Sequence, residues 1–325
     1  MTENAALSGT DNRTDAGTDR SAVLLIGVLL VAAFVVILNE TILSVALPTL
    51  MADLEITAAT AQWLTSGFLL TMAIVIPITG YLMQRFTLRS IYIAAMTLFT
   101  IGTLAAALAP GFELLIVARV VQASGTALMV PLLMTTILNV VPEQNRGRTM
   151  GLVSIVIAVA PAVGPTVSGL ILQSLSWRAM FWIVLPIAIG ALILGGVFVR
   201  NVTERRPSQL DLISVPLSAL GFGGVVYGLS SIGESAGGHA PIPPWVPLVI
   251  GAVALALFVV RQLKLADRGL ALLDLRTFAI APFRLAVVLM AGFMLTLFGA
   301  LILLPLFLQN VMGKDVLTTG LVLLP

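Results

Sequence analysis

Residues 22–47 read AVLLIGVLLVAAFVVILNETILSVAL. From Ala22 to Leu38 no side chain is polar. A bilayer core about 30 Å thick takes roughly 20 apolar residues per helix, and this run has that length. It is continuous rather than alternating, which sets it apart from the strands of a membrane barrel. A lone strand would leave its backbone groups unsatisfied in lipid, whereas a helix bonds them internally. The stretch is therefore read as a membrane-spanning helix, and it contains a carboxylate, Glu40.

Similar runs recur along the chain, at 58–83, 91–109, 113–140, 149–172, 178–199, 210–232, 245–265 and 282–309. That makes nine spans, with a tenth opening near Val316. Across all 325 residues 59% are hydrophobic and only 10% charged. Soluble domains carry about 25% charged residues, so lipid must be the solvent for most of this surface. The fold class read from this is an all-α polytopic membrane protein. Residues 1–20 are polar, lack the apolar run of a signal peptide and read as a disordered cytoplasmic tail.

The net charge is only +2, which gives no reason to expect a nucleic-acid partner. There is no cysteine and one histidine, His239, in a Gly/Pro-rich stretch. Thiolate sites are excluded and no metal site is expected. No nucleophile–base set or phosphate loop is visible, so an enzyme is not expected. If the N-terminus is cytoplasmic, 14 of the 17 Lys and Arg fall in inner segments and only Arg178 and Lys314 in outer ones. The positive-inside rule then places a multi-pass protein in the cytoplasmic membrane with its N-terminus inside. The charged connection at 200–211 separates a six-helix unit from the later spans. The outer loop at 233–244 reads as irregular, and the inner segment at 261–284 reads as surface helix or plain loop.

Two charges break the pattern, Glu40 in the first span and Arg119 in the fourth. Ionisable residues inside a bilayer are costly and usually face a cavity or a partner. Glu40 lies about 18 residues, roughly 27 Å, from the inner end of its helix. Arg119 lies about six residues, roughly 9 Å, below the outer face. Both depths agree, so the two charges can share one cavity if the first and fourth helices meet. A carboxyl whose exposure alternates can load and release a proton, and a cationic ligand would displace it. The plainer readings are a snorkelling Glu40 and an Arg119 that anchors the outer rim.

The motifs around these charges resemble those of the major facilitator superfamily, in particular its 14-span drug:proton antiporter branch. The segment Leu38-Asn39-Glu40-Thr41-Ile42, ending in Ala46-Leu47-Pro48, is similar to that branch's first-span motif. The branch commonly has Asp at the place of Asn39, and the acid here comes one position later. The Asn-Glu-Thr version resembles lincomycin-resistance-type exporters. Gly80, Gln84, Arg85 and Arg89 match the inner-loop gating motif, with Gln84 where an acid is usual and Thr87 for a usual Gly. Arg119, Gln122 and Gly125 match the fourth-span motif, whose Arg is linked to proton coupling in the family. Gly164, Pro165 and Gly169 match the antiporter motif of the fifth span, with Ser168 replacing a Gly.

The resemblance implies the major facilitator fold. The six-helix bundle would cover 21–200, a linker with two extra spans 201–281, and the start of the second bundle 282–325. It implies proton coupling by Glu40 and Arg119, and a substrate cavity that includes Asn39, Glu40, Thr41 and Gln122. Gly80, Gln84, Arg85, Arg89, Gly125, Gly164, Pro165 and Gly169 would serve gating. The activity implied is efflux of lipophilic drugs or antibiotics by alternating access, driven by the proton gradient without a cofactor, in a monomer whose partners are small lipophilic substrates, protons and the bilayer. Proton-coupled uptake of a small nutrient and a truncated, non-transporting membrane protein are the other readings. Family members continue beyond the helix that opens before Pro325, so a truncated chain is expected. Met and Phe residues on spans, such as Phe68 and Met129, read as packing.

Overall fold

The computed structural model describes residues 11–199, 201, 211, 213–236, 242–268, 270–313, 318 and 322. Nine helices run through them: α1 (Asp11–Asp53), α2 (Ala58–Arg85), α3 (Leu88–Ala107), α4 (Phe112–Val140), α5 (Glu143–Ser174), α6 (Trp177–Phe198), α7 (Ser214–Ala236), α8 (Trp245–Ala266) and α9 (Ala281–Leu306). Eight of these are long and apolar enough to cross a membrane, and α9 adds the apolar stretch Ala281–Leu297. Large apolar side chains stand exposed all around the outside, among them Leu152, Ile155, Ile193, Val197 and Val253. Soluble monomers rarely leave apolar patches of that extent, so this is the surface of a membrane protein.

Several helices outrun their apolar stretches. α1 begins at Asp11, so the second half of the expected tail is helical. α5 begins at Glu143, which puts Arg146 and Arg148 on a helix rather than in a loop. Apolar content marks only the part of a helix that lies in lipid; the backbone bonds continue until something stops them. α7 likewise reaches Ala236, into the stretch read as irregular. The stretch at 261–284 holds the end of α8, a 3₁₀ turn at Leu275–Ala279 and the start of α9. The tenth span's opening, His239 and most of 200–211 lie outside the described residues.

The turns between helices are short and their stops are local. Thr57 and Thr87 cap α2 and α3, accepting from the amides of Thr60 and Ser90 at 3.2 and 3.3 Å. Such caps satisfy amides that the first turn cannot bond. At the other end of α4, Arg146 donates to the carbonyls of Val141 and Leu138 at 3.1 and 2.8 Å.

Packing between sequence neighbours is extensive for α3 with α4 and for α7 with α8, but much of the bundle is held by helices far apart in the chain. α1 packs chiefly against α5, α6 and α4; α3 lies against α4 and α6; α2 lies against α4 and α7. Two apolar clusters result. One gathers Leu29, Val36, Tyr92, Phe99, Met129 and Leu132. The other gathers Leu43, Leu50, Leu64, Leu115, Trp177 and Phe181. Between them, on the same helices, lies a buried polar layer of Asn39, Thr103, Arg119, Gln122 and Thr126.

Outside this six-helix unit, α7 and α8 form a close pair. Gly221, Gly224 and Gly228 of α7 lie against Leu255, Gly251 and Leu248 of α8, where a Cβ would collide. Small residues at such crossings let backbones approach. The pair docks on α2 through Trp63 and Tyr227, whose ring centroids are 5.4 Å apart, and through the Ser66 and Ser230 hydroxyls at 3.3 Å.

The α3–α6 contact yields a paired expectation. A Cβ at Gly195 would enter the ring of Tyr92, whose hydroxyl donates to the Ala191 carbonyl at 2.7 Å. Beside it, Gly196 has nothing within 4 Å. Gly195→Ala must displace a buried ring and should cost about 1–3 kcal/mol. Gly196→Ala should gain about 0.5–1 kcal/mol from helix propensity. Thermal unfolding of the two purified variants should move Tm in opposite directions; equal shifts would refute this packing.

A second expectation concerns the end of the bundle where α7 starts. Arg261 grips Asp211 with two hydrogen bonds of 2.6 and 2.7 Å. Ser214 also donates to Asp211, and the buried Gln262 joins Ser214 to the backbone amide of Leu273. Hydrogen bonds from Arg261 are the main reason the Asp211 carboxyl is held down at about 2. A depressed carboxylate stabilises the fold above its ordinary value of 3.8, and that contribution fades as pH falls towards about 2. Asp211→Asn should therefore lower Tm at neutral pH, with the gap to wild type closing in this acid window. A gap that does not change with pH would disprove the latch.

Candidate functional site

The polar layer is built around Arg119, on the second turn of α4 and 1% exposed. Its Nη1 donates to Gln122 Oε1 at 2.6 Å and to Asn39 Oδ1 at 3.4 Å. Its Nε donates to the Leu64 carbonyl at 3.5 Å. The guanidinium also lies 4.0 Å from the centroid of the Phe68 ring, a cation–π contact. Gln122, one helical turn along α4, is held in turn: its Nε2 donates to Thr103 Oγ1 at 2.8 Å, and Thr103 donates to the Phe99 carbonyl at 2.7 Å. Spacing of three on a helix puts Arg119 and Gln122 on one face.

Every direct partner of this buried cation is neutral. The four ion pairs among the described residues include neither Arg119 nor Glu40. Glu40 is half-buried, one residue beyond Asn39 on α1. One residue turns a helix by about 100°. Asn39 consequently occupies the contact position against Arg119, and Glu40 is offset from it. Burying a cation is costly and tolerable only with several hydrogen bonds. Among the described residues those bonds leave its charge unneutralised at contact distance, and the nearest acid along α1 is Glu40, next to its partner Asn39.

Thr41 is turned elsewhere. Its hydroxyl donates to the Leu38 carbonyl at 3.0 Å, and its side chain meets Gly164 of α5, where a Cβ would collide with it. Gly164 therefore sets the α1–α5 distance two residues, about half a turn, from Asn39. Pro165 and Gly169 are buried on the same helix, and Ser168 reaches Met180 Sδ of α6 at 3.5 Å. Gly125 does for α3 and α4 what Gly164 does for α1 and α5, lying on the backbone of Ala95 and Phe99.

The inner-loop residues separate into three. Arg89 donates to the Gly196 carbonyl and its amide donates to Asn201, which ties α3 to the end of α6. Gln84 and Arg85 are exposed at the end of α2. Gly80 lies under the Leu272 carbonyl, which a Cβ would meet at 3.6 Å. On the opposite membrane face Asp53 accepts from Trp177 Nε1 at 2.8 Å and Arg178 at 3.1 Å. Those hydrogen bonds hold its carboxyl below the usual range. Arg178 also donates twice to the Ala109 carbonyl, closing that end of α1, α3 and α6.

Sequence reasoning did not find Thr103, Leu64 or the role of Phe68, which it read as packing. Thr103 carries a weak signal, a hydroxyl in mid-span; Leu64 contributes only a backbone carbonyl, which has none.

The model of the Major Facilitator Superfamily matches residues 29–325. The chain belongs to that superfamily. Its members are transporters, not enzymes. A lincomycin resistance protein, LmrB, of Listeria monocytogenes is 46% identical over 296 residues, covering 91% of this chain and 62% of its own length. The MFS-type transporter YcnB of Bacillus subtilis is 44% identical over 302 residues, covering 93% and 63%. A multidrug resistance protein B homolog of Mycobacterium tuberculosis is 29% identical over 314 residues, covering 97% and 57%. The chain thus spans about three-fifths of the length of these relatives. A bacterial homologue of the lysosomal transporter Spinster, solved facing inward, aligns with a TM-score of 0.49 at 20% identity, covering 66% of this chain and 53% of its own. In this member of the superfamily the buried Arg119 lies where α1, α2, α3 and α4 converge.

Proposed function

We propose that this chain forms the first part of a proton-coupled exporter of lipophilic drugs or antibiotics. Residues 21–200 form the first bundle, 201–281 the connection with two extra spans, and 282–325 the start of the second bundle. Its N-terminus is cytoplasmic and it works as a monomer by alternating access. The single observation that carries the reading is the buried Arg119, bonded among the described residues to neutral groups, one of which, Asn39, is the sequence neighbour of the half-buried Glu40. Among the described residues, the Glu40 carboxyl next to this layer is the group able to exchange a proton, and Arg119 supplies a fixed positive charge that biases when it does. A cationic or lipophilic compound entering next to Glu40 competes with that proton. The lincomycin-resistance and multidrug-resistance relatives support antibiotic-like substrates.

The test is accumulation of a cationic dye and of lincomycin in efflux-deficient cells expressing the full-length gene, with and without an uncoupler. Lower accumulation that the uncoupler abolishes supports the reading. Unchanged accumulation over a broad compound panel would reject drug export, and uncoupler-resistant efflux would reject proton coupling.

A further inference from the structure

The end of the α7–α8 pair where α7 begins holds a groove of about 730 Å³, lined by Leu217, Leu257, Val260, Arg261, Lys264 and Arg268 among others. It opens on the same membrane face as Arg85, Arg89 and Arg146, since α2, α4, α6 and α8 all end there. Its walls are apolar and open to the bilayer, with Leu257 and Val260 at least half exposed. Its mouth is cationic, and the charges there are not equivalent. Arg261 is neutralised by Asp211. Asp267, also at the mouth, pairs with Arg276, 3.4 Å away. Lys264 and Arg268 take part in no ion pair among the described residues. Two cations without an ion-pair partner among the described residues therefore sit at the mouth of an apolar slot.

We propose that this groove binds one anionic phospholipid, its phosphate between Lys264 and Arg268 and an acyl chain along Leu217, Leu257 and Val260. Basic pockets between membrane helices select anionic headgroups by charge, while the apolar wall demands a chain as well. A free phosphate would satisfy only the mouth, and a zwitterionic lipid only the wall. The lipid would brace the α7–α8 pair at the end where the Asp211, Ser214 and Gln262 network joins it to Leu273.

The experiment is native mass spectrometry of the full-length protein titrated with phosphatidylglycerol or with phosphatidylcholine of the same chains. Phosphatidylglycerol should bind at least about fivefold more tightly. Combining Lys264→Gln with Arg268→Gln should weaken it by about fivefold for each charge. The charge-matched pair Arg85→Gln with Arg148→Gln should leave binding unchanged. Val260→Trp, which fills the slot and keeps both charges, should also weaken binding. Glycerol 3-phosphate should not compete. Equal binding of the two lipids, equal loss in the charge-matched pair, an unaffected Val260→Trp variant, or full competition by glycerol 3-phosphate would each overturn the proposal. The readout is lipid occupancy, so it stands apart from any transport result.

Discussion

Glu40→Gln is expected to reduce uncoupler-sensitive efflux to the level of cells without the transporter, while the protein still folds and binds substrate. Glutamine keeps the shape and hydrogen-bonding reach of the glutamate but cannot take up or release a proton. Glu40 makes no ion pair among the described residues, so its neutralisation breaks no salt bridge there. The effect should thus fall on coupling rather than on Tm. A companion variant sharpens the test. Asn39 holds the contact position, with Oδ1 3.4 Å from the Arg119 guanidinium. Combining Asn39→Asp with Glu40→Gln moves the acid one residue back and should recover part of the lost coupling. Substrate-induced proton release from everted vesicles measures both. Wild-type proton release in Glu40→Gln would sink the assignment of Glu40.

Arg119 should give the other large effect, and the two ways of replacing it separate charge from geometry. Arg119→Met removes the cation and leaves the Gln122 and Asn39 acceptors without their donor. An unsatisfied buried acceptor costs about 1–3 kcal/mol. Against that stands relief from burying a charge, which is itself worth several kcal/mol. Arg119→Lys keeps the burial cost but loses the planar fork that spans Gln122, Asn39 and Leu64 while stacking on Phe68. The lysine variant should therefore be no more stable than the methionine variant, despite being the chemically closer change. Both should lose most coupled efflux. Thermal unfolding and the dye assay, run side by side, check this. Wild-type efflux in either variant would mean that Arg119 is structural only.

The polar layer also explains why the acid shifted by one position is compatible with the site. An Asp at the position of Asn39 would bond directly to the guanidinium. Asn39 keeps the hydrogen bond without the charge, and the carboxyl moves to the adjacent, half-buried face of α1. The hydrogen bond to Arg119 and the negative charge are thus carried by two neighbouring residues of α1. Gly164 adds a mechanical link, because the α5 motif presses on Thr41, in the same segment of α1 as Asn39 and Glu40.

Much of this was legible in residue order. Membrane residence and the helical class come from repeated apolar runs, because lipid imposes a length and forbids open strands. Of the nine spans read from them, eight are helices of crossing length among the described residues, and the ninth is the shorter apolar stretch Ala281–Leu297. Glu40 and Arg119 stood out because a charge inside such a run is costly. Their similar depth came from counting rises along two helices of opposite direction. The remaining features needed the third dimension. Phe68 looks like any apolar residue until a cation is placed on its ring. Thr103 belongs to the site only because Gly102 and Gly125 let α3 and α4 come close enough for Gln122 to reach it. Arg178 reads as an isolated outer-segment charge and turns out to form one latch with Asp53 and Trp177. An apolar run tells a helix to cross the bilayer but not which neighbour to choose, since every lipid-facing flank is equally greasy. Crossing and charge depth are properties of one helix and so of the sequence by itself. Partner choice, and with it the decision that Asn39 and not Glu40 touches Arg119, depends on which faces meet, and only the packed bundle decides that.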